Sequence, residues 1–417
     1  MANTLKFGTD GQWATKVGST LAYNDEGGNF KPLPFNFTRS TSATRVNKDG
    51  LIEVVTNNKP RIDFLNDSNG ALLLEPSRTN LITYSEAFDN GSWVKTRATV
   101  TSNATTSPDG TTTADKFIPS VDNNTHIIEK AGLTVTAQIY TATLYAKKAE
   151  YDTIRIVMSN YWTPVPQASF NLTTKTTFNV SDATAVITEL SDGWFKLNVI
   201  ATVNPLAGGN GKLLIYAGND GEFSLTGDGT SGVYIWGAQL EAGSYATSYI
   251  PTQGAIATRV GEVCEQNLSN QVSLTEGVVY IDTTNLGNDG TNSNIISQNS
   301  VVDTVYCIKV GSNNKIACGL FASSVNIPIN STSAYPLGTR TKIAFHYKSG
   351  NSKLYINGSL DGTNNDSFTL GSGFATALRL IDASSAYNAY PQKSIVREFK
   401  VYNSGLTDAE LIALTTI

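Results

Sequence analysis

Histidine and cysteine are scarce in this chain, and that removes much of the usual catalytic chemistry. Of 417 residues only two are histidine and three are cysteine. His346 lies in the alternating run Ala344-Phe-His-Tyr347 and reads as a strand residue. His126 follows the polar loop Asp122-Asn-Asn-Thr125 and has no evident partner. No Gly-x-Ser-x-Gly elbow, His-Glu-x-x-His pair or phosphate-binding glycine loop occurs. No catalytic residue is nominated, and the chain is read as a non-enzyme. An odd cysteine count without paired spacing is no disulfide framework. Cys307 and Cys318 read as buried thiols on strands that could meet. Charge is scarce too. Asp, Glu, Lys and Arg make up 16% of the chain, with a formal net charge of −5, against about 25% charged residues in an average soluble protein. That balance excludes the basic face of a duplex nucleic-acid binder and disfavours an anionic membrane surface. No apolar run approaches the roughly 18 residues of a membrane span. The opening Met1-Ala-Asn-Thr-Leu-Lys6 has no apolar core of a secretion signal. Synthesis in a reducing cytosol is the expectation.

What is plentiful is short, polar and aromatic: Thr, Ser, Asn and 35 Gly, with 5 Trp, 18 Tyr and 16 Phe. Short alternating runs recur between turn signals, which predicts an all-β chain. Eight strands are predicted over 81–252, from Ala114–Ile118 to Val233–Glu241. This spacing suits a jelly-roll sandwich. Asp192-Gly193 and Asn357-Gly358 are two-residue hairpin signals. Residues 258–417 read as a second antiparallel sandwich. It ends in one helix, with Thr407 and Glu410 as a capping box. Residues 1–80 hold strand-like pieces without a core of their own. They read as an extended β-rich segment that must pair with a sister chain, a partner protein or the next domain. Within Leu74-Glu-Pro-Ser-Arg-Thr-Asn80, Glu75 and Arg78 are expected to pair around Pro76. Trp93, Trp194 and Trp236 read as core residues.

Three stretches resemble bacteriophage virion proteins, of tail or head-fibre type. The first runs from Phe37-Thr-Arg-Ser to Glu53, with Pro60-Arg-Ile-Asp-Phe64 and Leu74–Leu81. The second joins Ser85-Glu-Ala-Phe-Asp-Asn-Gly-Ser-Trp93, Asp192-Gly-Trp-Phe195 and Trp236–Thr252, and is similar to a carbohydrate-binding-module jelly roll. The third joins Leu354-Tyr-Ile-Asn-Gly358 and Val401–Leu411. It resembles the laminin-G-like, concanavalin-A-like sandwich. The resemblance implies a virion surface location after synthesis in a host cytoplasm. Residues 1–80 would dock onto other virion proteins or sister chains, a trimer by fibre precedent. The two sandwiches would face host surface polysaccharide. A purely architectural capsid or tail role and a polysaccharide depolymerase are the rival readings. It also implies a structural Ca2+ in the jelly roll, with Glu86, Asp89 and Glu241 in the matching motifs.

Sugar recognition needs aromatic platforms beside short polar groups. Two loops have that makeup. Tyr161 and Trp162 lie in Asn160-Tyr-Trp-Thr-Pro-Val-Pro166. Tyr387, Asn388 and Tyr390 lie in Ser384-Ser-Ala-Tyr-Asn-Ala-Tyr-Pro391.

Overall fold

The computed structural model describes residues 3–6, 13–15, 20–24, 30–159, 162–163, 165–205, 210–266, 273–288, 292–298, 303–310, 313–322, 325–371, 378–380 and 392–417. The described chain is nearly all strand, with one α-helix among the described residues, and its sheets are antiparallel. It divides into two units. One comprises 1–45, 55–77 and 260–417, the other 46–54 and 78–259.

The unit of 78–259 is a sandwich of two seven-stranded sheets. One sheet centres on Asn124–Leu133, Gly211–Gly218 and Thr153–Ser159, the other on Val233–Ala242, Gln138–Lys148 and Trp194–Pro205. Alternation sets the faces, since successive side chains of a strand point to opposite sides. Leu213, Ile215 and Ala217 are buried, while Lys212, Leu214 and Tyr216 between them are half-buried. Trp93, Trp194 and Trp236 are each 1% exposed, in keeping with the core reading. Each ring N–H finds an oxygen: Tyr84 O at 2.8 Å, Thr106 O at 3.1 Å and Thr113 Oγ1 at 3.2 Å. Asp192-Gly193 makes the expected turn between Thr184–Glu189 and Trp194–Pro205. Both residues have positive φ, 54° and 74°.

The other unit packs an eight-stranded sheet against a nine-stranded one. Its C-terminal features follow the sequence closely. Asn357 and Gly358 have φ of 50° and 82° and join Ser352–Ile356 to Ser359–Asn364. That is the pair of positive angles a two-residue hairpin needs. The helix Asp408–Thr415 carries the full capping box of Thr407 and Glu410. Its buried Leu411 packs on Val278, Tyr280, Ala344 and Tyr355, on the outer side of the eight-stranded sheet. Cys307 stands opposite Cys318 in the strand register.

Residues 1–80 are not a separate segment, and here the expected division at 80 and 258 is replaced. Ala71–Leu74 pairs with Gln392–Tyr402, and Arg61–Asp63 extends that sheet by one strand. Asn3–Lys6 lies on the same long strand. Phe30–Thr38 pairs with Val263–Gln266 in the opposite sheet. The hydrogen bonds anticipated from a neighbour are supplied by the chain's own last 158 residues, 260–417. Phe37, Ile62, Leu72 and Leu74 are buried in one core with Val279, Ile281, Phe345 and Phe399.

An ionic cluster is sealed inside this unit. Glu262 accepts from Arg39 Nη1 at 3.1 Å and lies 2.6 Å from Arg61 Nη2. Its other oxygen accepts the Glu75 backbone N–H at 2.8 Å. Arg61 Nη1 reaches Glu75 at 3.0 Å and Lys393 Nζ reaches it at 3.3 Å. The side chains of Arg39, Arg61, Glu75 and Glu262 are all 0% exposed. Arg39 also donates to the backbone oxygens of Thr41, Val55, Thr56 and Lys59. Burial works against the Arg61 charge, but Glu262 and Glu75 outweigh it and hold the guanidinium pKa above its ordinary value. Glu75, expected to pair with Arg78, is held in this network by Arg61 and Lys393. Arg78 belongs to the other unit, where it lies over the Tyr245 ring and 4.0 Å from Glu241.

Removing one member of a buried charge cluster leaves its partners uncompensated, a loss of about 3–5 kcal/mol. Glu262→Gln is expected to cost that much in denaturant unfolding. A loss below about 1 kcal/mol, the range of exposed pairs, would contradict the role given to the cluster.

Candidate ligand-binding cavity

A cavity of about 530 Å³ opens in the unit of 78–259. Three stretches of chain wall it. The first is the 84–89 turn, with Tyr84, Glu86 and Asp89. The second is the hairpin of Ala98–Thr105 and Ala114–Pro119, with Ser102, Asn103, Thr113 and Asp115. The third is the exit segment, with Pro251, Thr252 and Gln253.

Each wall has a local cause. The register of the hairpin shifts between Thr101 and Thr105, so residues 102–104 bulge out of the ladder. Asn103 takes φ 53°, a left-handed angle that asparagine tolerates better than most residues. Its N–H donates to Asp115 Oδ1 at 2.9 Å, while Asp115 Oδ2 accepts from the Phe88 N–H at 2.9 Å. One carboxylate thus ties the bulge to the 84–89 turn. The exit segment is fastened through Ser85. Thr252 N donates to Ser85 Oγ at 2.8 Å, and Thr252 Oγ1 donates to Ile82 O at 2.7 Å. The Tyr249 hydroxyl donates to Glu86 Oε1 at 2.8 Å from a buried ring tilted against Trp236.

The cavity is acidic. Burial pushes the Asp115 carboxyl up to about 6, only partly opposed by the Asn103 and Phe88 N–H groups. Burial also raises Glu86, with the Tyr249 hydrogen bond acting the other way. No Lys or Arg is among the lining residues. Lys95 lies close, but its Nζ donates to the backbone oxygens of Asp89 and Asn90. Carboxylates, amides, hydroxyls and one tyrosine ring in a pocket of this size suit a small polyhydroxylated ligand.

The nominated site residues are only partly brought together. Glu86 and Asp89 share the cavity wall. Glu241 is engaged elsewhere: it accepts from Gln239 Nε2 at 2.7 Å, Thr247 N at 2.8 Å and Thr247 Oγ1 at 2.6 Å. Among the described residues no group of three or more His, Cys, Asp or Glu is arranged to hold a metal ion. Of the three residues expected to hold Ca2+, Glu86 and Asp89 line the cavity and Glu241 does not. Trp162 lies in the short strand Trp162–Thr163, paired with residues 204–205. Tyr161, Tyr387, Asn388 and Tyr390 lie outside the described residues. Of the cavity's residues, Tyr84, Ser102, Asn103, Asp115 and Gln253 were not anticipated. The strand that carries the bulge, Ala98–Thr105, is almost wholly polar and offered no periodic signal. His126 has Arg97 O at 2.6 Å and Leu225 O at 2.9 Å from its ring nitrogens, so it serves the packing here. His346 is buried on the strand Arg340–Lys348 as expected.

Comparison with known proteins adds a family for part of the chain. A model of the concanavalin A-like lectin/glucanases superfamily matches residues 279–412. The C-terminal sandwich is thus a laminin-G-like, concanavalin-A-like domain in an all-β protein. No curated protein matches the chain. Similar solved structures include a SAP-like pentraxin from Limulus polyphemus, 16% identical over 35% of this chain and 72% of that one, with a TM-score of 0.28. Domain 4 of a GH43 extracellular arabinanase from Geobacillus stearothermophilus, in complex with arabinotriose, is 15% identical over 42% of this chain and 83% of its own, with a TM-score of 0.32. The LG4-5 domains of the mouse laminin alpha1 chain are 10% identical over 67% and 86%, with a TM-score of 0.25.

The raised Asp115 carboxyl makes a pH prediction. The fold favours its protonated form, so this contribution to stability is complete below the ordinary 3.8 and is lost as pH rises through about 6. Carbon-13 NMR of the Asp115 side-chain carboxyl is expected to titrate with a midpoint near 6. A midpoint at the ordinary aspartate value would show the group to be solvated instead.

Proposed function

We propose that this chain is a glycan-binding structural protein of a bacteriophage virion, displayed as a fibre or decoration. It would hold host surface polysaccharide in the cavity of its jelly-roll unit. The observation that carries the binding reading is that cavity, with acceptor-rich walls and a tyrosine ring. The lectin superfamily matched over 279–412 supports it independently. The virion setting rests on the motifs around Phe37–Glu53, Leu74–Leu81 and Ser85–Trp93. The described strands of residues 3–38 and 61–74 pair within their own unit, so docking to other virion proteins would fall to the surface of that unit. Assembly as a homo-oligomer, a trimer by fibre precedent, would multiply weak single sites by avidity.

Binding without hydrolysis is the preferred reading. Both Asp115 oxygens accept backbone N–H groups that hold the cavity wall, which leaves this carboxyl poorly placed to exchange protons with a substrate. A depolymerase would use two free carboxyls across the sugar, and release of reducing ends from host polysaccharide would favour it.

A glycan array with the wild type, Tyr84→Ala and Gln253→Ala tests the assignment. Each substitution is expected to weaken sugar binding about tenfold, equivalent to 1.4 kcal/mol, with the melting temperature little changed. Undiminished binding by both variants would remove the cavity from the reading.

A further inference from the structure

On the outward face of the jelly roll, Arg155 has no acidic partner among the described residues. Arg155 lies at the middle of Thr153–Ser159, between Ile154 and Ile156, which point into the core. In the strand register it stands beside Tyr216 on one side and Ser169 on the other, and Phe178 lies next to Ser169. These four residues form a row across four neighbouring strands. At about 4.8 Å per strand the row spans roughly 14 Å, the length of two or three sugar units.

Phe223 backs the row. The Arg155 guanidinium carbon sits 4.0 Å from the centre of the Phe223 ring and 5.9 Å from that of Tyr216. Phe223 is stacked with Phe178 and edge-on to Tyr216, each at 6.4 Å. The turn that delivers Phe223 is fastened down. Asp220 N donates to Asp152 Oδ1 and Gly221 N to Thr153 Oγ1, both at 3.1 Å. Phe223 itself is 5% exposed. The guanidinium is therefore held by a rigid aromatic support.

Its electrostatics are incomplete. Nε donates to Ser169 Oγ at 3.0 Å, and the terminal nitrogens take no hydrogen-bond partner among the described residues. The nearest acid–base pair on this face, Glu129 with Lys212 at 2.7 Å, is already matched within itself. Burial lowers the Arg155 pKa, and only the Tyr216 hydroxyl acts in the other direction. A half-buried cation without an anion is costly, and in a chain of net charge −5 a carboxylate was available to evolution in plenty. The free edge of a guanidinium presents two parallel N–H donors that match a carboxylate, while rings alongside take the apolar faces of sugars.

We infer that Arg155, supported by Phe223 and flanked by Tyr216 and Phe178, forms a second glycan subsite that selects a carboxylate-bearing sugar such as a uronate. Sugar as the ligand class rests on the glycan-binding reading above; selection of the acid rests on Arg155 alone and not on the cavity. The two sites have opposite character, one acidic and one basic, so they read different parts of a polysaccharide or different polysaccharides.

The test uses the full chain, a tri-uronate oligosaccharide and its carboxyl-reduced neutral counterpart, by calorimetry at low salt. The tri-uronate is expected to bind at least tenfold more tightly than the neutral sugar. Arg155→Gln should abolish that preference, and Arg155→Lys should retain part of it. In the wild type, the Arg155 Nε–Hε resonance should shift on titration with tri-uronate, a readout that holds even if a variant fails to fold. Equal affinity for both sugars, or an unmoved Nε–Hε resonance at saturation, overturns the inference. Neutral sugars that fail to bind anywhere, with the tri-uronate preference intact, would instead count against the cavity reading alone.

Discussion

The unit formed by the two ends of the chain depends on one buried carboxylate, Glu262. It is shared by Arg39 and Arg61, and its second oxygen holds the backbone N–H of Glu75. Four charged side chains without solvent contact are tolerable only because each charge is opposed, and Arg39 adds bonds to carbonyl oxygens. Arg39 alone serves four such carbonyls between Thr41 and Lys59. The cluster therefore ties residues 39–41 to residues 55–61. It explains why strands from residues 1–77 sit in the same sheets as strands from 260–417. An apolar contact would hold these pieces together, but it would not specify their register so narrowly.

The second unit uses the same device on a smaller scale. Asp115 accepts one backbone N–H from the bulge and one from the 84–89 turn, and so shapes the cavity while losing solvation. Its raised pKa is the consequence of that structural duty. On the outward face Arg155 shows the complementary case, a charge supported by rings and left without its opposite. Within a single sandwich the desolvated acid is paired off by the backbone, and the desolvated base rests on aromatic rings.

Local signals were legible wherever the chemistry is local. Asn357-Gly358, Asp192-Gly193 and the Thr407–Glu410 capping box each act within a few residues, and each appears where expected. Most core strands were also legible, because Leu213, Ile215 and Ala217 alternate with more polar neighbours. The strands that escaped notice are the polar ones. Ala98–Thr105 is mostly exposed and nearly all Thr, Ser, Asn and Ala, so it carries no hydrophobic period to detect. The cavity escaped with it, since its floor is the bulge in that strand. Asp115 was passed over because an acid in a strand reads as a surface residue until the turn at Phe88 is known to face it. The remote partners of Glu75 and Arg78, such as Lys393 and Glu241, were not legible because they come from strands far along the chain.

Composition and short-range pattern by themselves determined that this protein is all-β, that it is built as antiparallel sandwiches, and that its opening strands could not stand alone. These properties follow from side-chain period and turn stereochemistry, which act over a few residues. Which strands those opening segments join, where the charges are matched and where a cavity opens were decided only in the tertiary structure. Contacts such as Glu262 with Glu75, 187 residues apart, depend on sheet register, and register is a property of the whole folded chain.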